Sequence, residues 1–530
     1  MAENIIFVGK LIHTPSLGTL EIEDATVGVH QSKIVFLAKS VTDETIHLAK
    51  SHHMLKNAKV QILKPSQFFF PGFIDTHIHA PQYPNAGFGI DVPLLKWLEK
   101  YTFPLESSFR NLDKALEIYY RIVTRTLAYG TTFASYFSSL HAPASALLAE
   151  LCFLFGQRAY IGKCNMNTLS PPHYCEKSSE SSIEATNVLV SFMSQLDPER
   201  KIVSPIVTPR FAPSCTKDLL QSCGKFAATH GLPIQTHVSE NPGEIALVRE
   251  MFPDRKSYTD VYDHYNLLTP KTILAHGVYL EDEEIETIYK RQSGISHCPT
   301  SNAVLASGMA NVRKLLNAGV KVSLGTDVSG GYTPNMLVAI RQAALTSRSL
   351  ASVLKDPRII LELPELLYLA TQGGAEVLGR GREVGSFEEG KDWDALVIDV
   401  SSQNNSPIDI YEHDSWEHIL SKWVFNGDDR NIAQVWVNGK LIAGTECKIE
   451  DISPVSLNLA SLYMDTAIST EKKSLRLREI LESFTKTKLL PVTQCVNDGK
   501  VHAKPWKHTD ENEDYRKTNS VERKRFLRST

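Results

Sequence analysis

Apolar residues follow two rhythms along this chain. From residue 1 to about 70 they come in short runs, "NIIFVGKLIHT", "ATVGVHQSKIVFLA" and "KVQILKPSQFFF", rich in Ile, Val and Phe and broken by Gly, Lys and polar turns. These read as strands. The same texture returns in "EVGSFEEGKDWDALVIDV" (383–400) and "IAQVWVNGKLIAG" (432–444). The two flanks therefore predict one small β-sandwich domain, built from residues 1–70 and 383–445. Between them, over 71–382, strand-like runs alternate with helical ones. "GFIDTHIH", "TTFASYF", "RAYIGKCNMN", "KIVSPIVTPR", "PIQTHVSE", "KTILAHGVYL", "GISHCPTSN" and "KVSLGTDVSG" are the strand candidates. In "LDKALEIYYRIVTRTLAYG", Leu112, Leu116, Tyr119, Val123 and Leu127 fall at helical spacing, with Gly130 as the stop. In "SCTKDLLQSCGKFAATHG", Ser214 is the expected cap and Gly231 the close. Eight strands alternating with helices predict an α/β chain with a (β/α)8 TIM-like barrel, whose chemistry sits at the C-terminal strand ends. Residues 446–530 break the pattern. One helix is expected in "EKKSLRLREILESF", and the mixed-charge "DENEDYRKTNSVERKRFLRST" reads as a flexible tail.

Composition narrows the class without naming it. The 530 residues are 42% apolar and 22% charged, with a formal net charge of −4. That balance argues against nucleic acid or an acidic membrane surface as partner, since phosphate binding wants excess Lys and Arg. No run reaches eighteen apolar residues, so no spanning helix is expected, and "MAENIIFVGK" lacks a secretory leader. Eight scattered cysteines, none at metal-finger spacing, read as reduced thiols of a cytoplasmic protein.

The polar residues at the predicted strand ends change the picture. The first barrel strand ends in His77 and His79, the fifth in His237 with Glu240 three residues on, the sixth in His276 and the eighth in Asp327. Residues two apart on a strand project the same way, so His77 and His79 can reach one ion. Imidazoles with a carboxylate form a nitrogen and oxygen set suited to Zn²⁺ or Fe²⁺. Each residue alone has an ordinary explanation; recurrence on one rim is what speaks for a site. His230 reads as a helix-end residue, His297 is ambiguous, and His413 and His418 read as surface. The fourth strand ends "VTPRFAP" with Arg210 and no lysine to bridge two metals, which favours one ion; Lys163 reads as an ordinary charge.

Together "PGFIDTHIHAPQY", "TPRFAPSC", "THVSEN", "LAHGVYL", "HCPTSNAVLASG" and "LGTDVSGGY" resemble the amidohydrolase superfamily, and within it the guanine deaminase family. The likeness runs from about residue 5 to 445. Gln82, the pair Arg210 and Phe211, and "YTFPLE" at 101–106 narrow it. The resemblance implies hydrolysis of guanine to xanthine and ammonia by a homodimer. It implies one Zn²⁺ per subunit (Fe²⁺ is the other candidate) on His77, His79, His237 and Asp327. Gln82, Arg210, Phe211, His237 and Asp327 are then substrate-binding, and Glu240, His276 and Asp327 catalytic.

The chemistry explains these residue types. An aromatic amine leaves poorly and water attacks weakly, so a cation must acidify the water and a carboxylate must move protons; Glu240 suits that shuttle. His276 suits electrostatic support of the attacking oxygen. Arg210 is a donor-only fork for an acceptor such as O6, and Gln82 offers both polarities. A deaminase for adenosine-type thioethers, cytosine or a triazine would share the metal set. A non-catalytic scaffold would have lost ligands or the acid, and the H-x-E with P-C-x-x-C deaminase pattern is missing.

Overall fold

The computed structural model describes residues 4–89, 92, 94–401 and 406–446. The helix and tail expected beyond 446 lie outside the described residues. The N-terminal flank supplies β1 (Ile5–His13), β2 (Glu21–His30), β3 (Lys33–Ala38), β4 (Lys59–Ile62) and β5 (Gln67–Pro71). The run "KVQILKPSQFFF" thus yields two strands, because the polar Lys64–Gln67 turn interrupts it. The barrel region follows with β6 (Phe73–His79), β7 (Thr131–Phe137), β8 (Arg158–Gly162), the two-residue β9 (Cys164–Asn165), β10 (Val203–Pro205), β11 (Thr208–Pro209), β12 (Ile234–Val238), β13 (Thr272–His276), β14 (Gly294–His297) and β15 (Lys321–Leu324). The C-terminal flank adds β16 (Ala395–Asp399), β17 (Ile432–Val437) and β18 (Lys440–Ala443).

Both flanks join in one eight-stranded mixed sheet, ordered β18-β17-β16-β5-β1-β2-β3 with β4 also on β1. The strand pattern of the flanks predicts a sandwich of two sheets. The pairing instead connects the flanks edge to edge, because β5 runs parallel to β1 on one side and antiparallel to β16 on the other, Phe69 opposite Val397. Aromatic packing seals the join: Phe7 stacks on Trp393 with ring centroids 4.6 Å apart, and Phe69 and Trp436 meet Phe7 edge-on. Arg158 at the start of β8 ties this sheet to the barrel region, its buried guanidinium binding Asp394 at 2.6 Å and Asp392 at 3.1 Å.

The middle of the chain has a TIM-barrel-like α/β fold. Two four-stranded parallel sheets, β10-β8-β7-β6 and β12-β13-β14-β15, carry helices in their connections. Their strands are buried almost throughout, as sheets covered by helices require. At one seam Val207 bridges Ile234, with the Gln235 N–H donating to the Val207 carbonyl at 2.9 Å. At the other, the Asp327 N–H donates to the His77 carbonyl at 2.8 Å and the His79 N–H to the Val328 carbonyl at 3.0 Å.

The helix Leu112–Ala128 forms as its spacing predicts. Asn111 caps it and Leu116, Tyr119, Val123 and Leu127 are buried. The helix Lys217–His230 is capped by Thr216, whose hydroxyl accepts from the Leu219 N–H, and not by Ser214. Ser214 is instead the last residue of the short 3-10 turn Ala212–Ser214 that precedes the helix. Gly231 closes that helix at φ +63°, a left-handed conformation that glycine tolerates. No helix of the described residues is long and apolar enough to cross a membrane.

Candidate active site

The strand ends deliver the polar side chains to one place. His77 and His79 lie at the end of β6, His237 on β12, His276 at the end of β13 and Asp327 three residues past β15. His276 and Asp327 take left-handed backbone, φ 74° and 47°, just where the chain leaves the sheet. Such conformations cost about 1–3 kcal/mol and persist where surrounding contacts hold them.

Asp327 is the centre. Its Oδ1 lies 3.1 Å from His77 Nε2 and 3.3 Å from His79 Nε2, and its Oδ2 lies 3.7 Å from His276 Nε2. His79 Nε2 and His237 Nε2 are 3.2 Å apart. One donor atom each from His77, His237, His276 and Asp327 fall within 4.8 Å of one another. Burial pushes His79 down to about 4 and lowers His77 and His237 as well, which favours their neutral forms. Burial works against an ionised Asp327, yet the surrounding imidazoles hold it well below the usual carboxylate range. Second contacts fix which nitrogen faces inward. His237 Nδ1 donates to the Arg210 carbonyl at 2.6 Å, which leaves its Nε2 lone pair toward the cluster. His77 Nε2 and His276 Nε2 are buried and lack hydrogen-bond partners. Buried orphans of this kind are costly. Neutral imidazole lone pairs around a carboxylate are what a divalent cation wants, so the residues present fit a metal ion.

Glu240 stands beside this cluster, its Oε2 3.6 Å from His276 Nε2 and its Oε1 accepting from Ser307 Oγ at 3.1 Å. Burial and the nearby Asp327 charge raise it to about 8. Glu244 supports it from behind, taking the Glu240 N–H at 2.9 Å and the Tyr258 hydroxyl at 2.7 Å. His276 is aimed by a 2.9 Å contact between its Nδ1 and Asn302 Oδ1.

A cleft of about 400 Å³, open mouth included, lies over these groups. Leu94, Trp97, Leu98, Phe211 and Leu305 make its apolar wall, and Gln82 and Arg210 its polar edge. Arg210 is not a bare cation there. Its Nη1 and Nη2 donate to Glu106 at 2.7 and 3.2 Å, while Gln82 Nε2 donates to Glu106 Oε1 at 2.8 Å.

Of the residues predicted for the site, His79, Gln82, Arg210, Phe211, His237, Glu240, His276 and Asp327 line this cleft, and His77 stands behind them against Asp327. Lys163 corrects its reading as an ordinary charge. It is buried and bonds Glu176 at 2.7 Å. His297 is buried and pushed down to about 3, outside the metal-fit group. His230 packs on Phe226 at a helix end, and His413 and His418 are exposed. Glu106, Ser307, Asn302 and Glu244 carry no sequence signal of a role. Only their place in "YTFPLE" and "SNAVLASG", or four residues after Glu240, is visible there.

The amidohydrolase family model matches residues 68–442. A probable guanine deaminase of Schizosaccharomyces pombe is 64% identical over 93% of this chain and 91% of its own. The guanine deaminase of Rattus norvegicus is 46% identical over 83% of this chain and 96% of its own. The crystal structure of a guanine deaminase from C. acetobutylicum, with guanine bound in its active site, superposes with a TM-score of 0.76 at 35% identity, covering 83% of this chain and 100% of that one. The chain belongs to the amidohydrolase family and, within it, groups with the guanine deaminases.

Proposed function

We propose that this chain hydrolyses guanine to xanthine and ammonia, using one Zn²⁺ per subunit held by His77, His79, His237 and Asp327. The observation that carries the reading is the convergence of neutral imidazoles on an ionised Asp327, within reach of Glu240 and facing the Gln82 and Arg210 edge. Full-length guanine deaminase relatives support the substrate. The hydrogen bonds at both seams support closure of the two half-sheets into a (β/α)8 barrel that aims these groups at one point.

A bound divalent cation acts as a Lewis acid and brings the pKa of water toward about 7. The protein groups do the rest. Glu240 takes a proton from the attacking water on Oε2 and passes it to a ring nitrogen as the ring loses aromaticity at C2. Its elevation to about 8 makes that proton exchangeable near neutral pH, which suits an acid and base in turn. Ser307 holds the other oxygen and so restricts the carboxyl's rotation. His276, oriented through Asn302, stabilises the oxygen that attacks. Asp327 Oδ2 receives the remaining proton and hands it to the amine, so that the C2–N bond breaks, the amine leaves as ammonia and the C2 oxygen stays as the carbonyl of xanthine. Phe211 and the Leu94, Trp97 and Leu98 wall cover the purine faces and exclude water.

A homodimer in the cytoplasm completes the reading. The six thiols among the described residues are free, five of them buried, as suits a reducing compartment. The test is elemental analysis of the purified protein joined to an assay of xanthine formation, with sedimentation for the dimer. Zinc near one equivalent and xanthine produced from guanine are expected. Metal-loaded protein that leaves guanine untouched refutes the reading.

A further inference from the structure

We infer that Tyr279 is a positioning residue for Glu240, a strut that ties the segment carrying this carboxyl to Ser307, whose hydroxyl holds it in place. The inference rests on the shuttle role given to Glu240 above and adds to it a residue that does not line the cleft.

Tyr279 lies three residues past the end of β13 and is 41% exposed. Its backbone N–H donates to the Ser239 carbonyl at 3.2 Å, and the Val278 N–H donates to the same oxygen at 3.1 Å. Ser239 precedes Glu240 and stands in left-handed backbone, φ 47°. A serine does not favour that conformation, so two donors on its carbonyl help to hold the bend from which Glu240 departs. The Tyr279 hydroxyl works at the other end and donates to the Ser307 carbonyl at 2.6 Å. The Ser307 N–H donates to the Asn302 carbonyl at 2.9 Å. Both backbone polar groups of Ser307 are therefore tied, and its hydroxyl is left aimed at Glu240 Oε1, 3.1 Å away.

Gly308 makes room for this contact. It sits at φ +139°, and a Cβ built there would stand 2.6 Å from Tyr279 Oη and 3.0 Å from Tyr279 Cζ. A residue without a side chain lets the tyrosine reach the Ser307 carbonyl. The ordinary alternative is a tyrosine that satisfies a carbonyl and stiffens a surface turn. That role costs stability when the hydroxyl is removed and leaves turnover alone. It does not account for one residue that bonds both the carbonyl ahead of Glu240 and the residue that holds the Glu240 carboxyl. A shuttle must keep its distance from the water and from the ring nitrogen, and misplacement of a reacting group by about 1 Å can cost 10²-fold. Without the Tyr279 hydroxyl the Ser307 peptide is free to turn and its side chain to leave Oε1, which loosens the carboxyl. Gln82, Arg210 and Phe211 make no contact with Tyr279 in this chain of bonds, so substrate binding is spared.

The experiment uses full-length, metal-replete protein, its Tyr279→Phe and Ser307→Ala variants and the double variant. Tyr160→Phe is the control, since that buried hydroxyl also donates to a carbonyl, that of Leu378 at 3.0 Å, and does not line the cleft. Read-outs are kcat and KM for guanine, metal content and Tm. Tyr279→Phe keeps the ring and the backbone bond to Ser239, so a change reports the hydroxyl alone. It should lower kcat roughly 3–10-fold, the scale of one neutral hydrogen bond, with KM and metal content unchanged. On the Ser307→Ala background the same substitution should change kcat by less than about twofold, because the connection runs through Ser307. Tyr160→Phe should lower Tm and leave kcat at the wild-type value. A Tyr279→Phe enzyme with kcat within about twofold of wild type overturns the inference, and so does an equal fall in kcat with and without the Ser307 hydroxyl. If Tyr279→Phe does not fold, Gly308→Ala displaces the hydroxyl from the other side and should give the same loss of kcat at unchanged KM; unaltered kcat there refutes the proposal. Failure of the wild-type protein to form xanthine would sink the guanine reading, and full turnover by Glu240→Gln would sink the shuttle. Both are seen before the Tyr279 variants are compared.

Discussion

Replacing Glu240 by glutamine isolates proton transfer from everything else the site does. Glutamine has nearly the shape of glutamate and keeps a carbonyl oxygen while removing the site that can take up a proton. The Ser307 hydroxyl can keep its 3.1 Å bond to the remaining carbonyl oxygen. The proposed cation ligands are untouched, because Glu240 lies 3.6 Å from His276 and outside the Asp327 contacts to His77 and His79. Folding and metal content should therefore match the wild type. What disappears is a group that can take a proton and give it back, worth roughly 10²–10⁴ in rate. At 1.36 kcal/mol per tenfold that is about 2.7–5.4 kcal/mol of barrier. The assay is xanthine formation at saturating guanine, with both proteins brought to equal metal content and their Tm compared. KM should move little, since the loss is confined to the transition state. Turnover within tenfold of wild type at equal metal would show that another group carries the proton.

Asp327→Ala removes the oxygen shared by His77 and His79, so metal should fall well below one equivalent by elemental analysis and xanthine formation should cease; full metal retention would contradict the central place given to Asp327. Glu244 offers a pH test: burial and then the Glu240 charge raise it from 4.5 to about 7, so between those values the native state holds a proton that the unfolded chain has lost. Its contribution to stability is complete below about pH 4.5 and is lost as pH rises through about 7, at up to about 1.4 kcal/mol per pH unit. Urea midpoints of Glu244→Gln should therefore decline less steeply than wild type across this window, and parallel curves would reject the assignment. Truncation after residue 446 should leave guanine turnover unchanged, because β18 ends at Ala443 and Glu446 still reaches Lys64 at 2.9 Å. An inactive truncation with native Tm would place some of the site in the removed segment.

The sequence alone determined the strand and helix alternation, since apolar periodicity is local physics. It also showed His77, His79, His237, His276 and Asp327 as polar residues at strand ends, because a buried run that stops on an imidazole is visible one residue at a time. Ser214 and Thr216 are equally good caps on paper, and the 3-10 turn that takes up Ser214 leaves Thr216 as the cap. Tertiary structure decided the rest. Lys163 looks like any lysine until Glu176 folds over it. The flanks carry strand signals, but that they join edge to edge through β5 and β16 depends on a pairing across more than three hundred residues, which no local pattern encodes. Glu106 is the sharpest case. The glutamate that ends "YTFPLE" has no periodicity to mark it, and its buried hydrogen-bond set exists only because Gln82, Tyr174 and Arg210, from three distant segments, all point their donors at one carboxylate. Side-chain type is written in the chain; the partner that gives a charge its meaning is supplied by the fold.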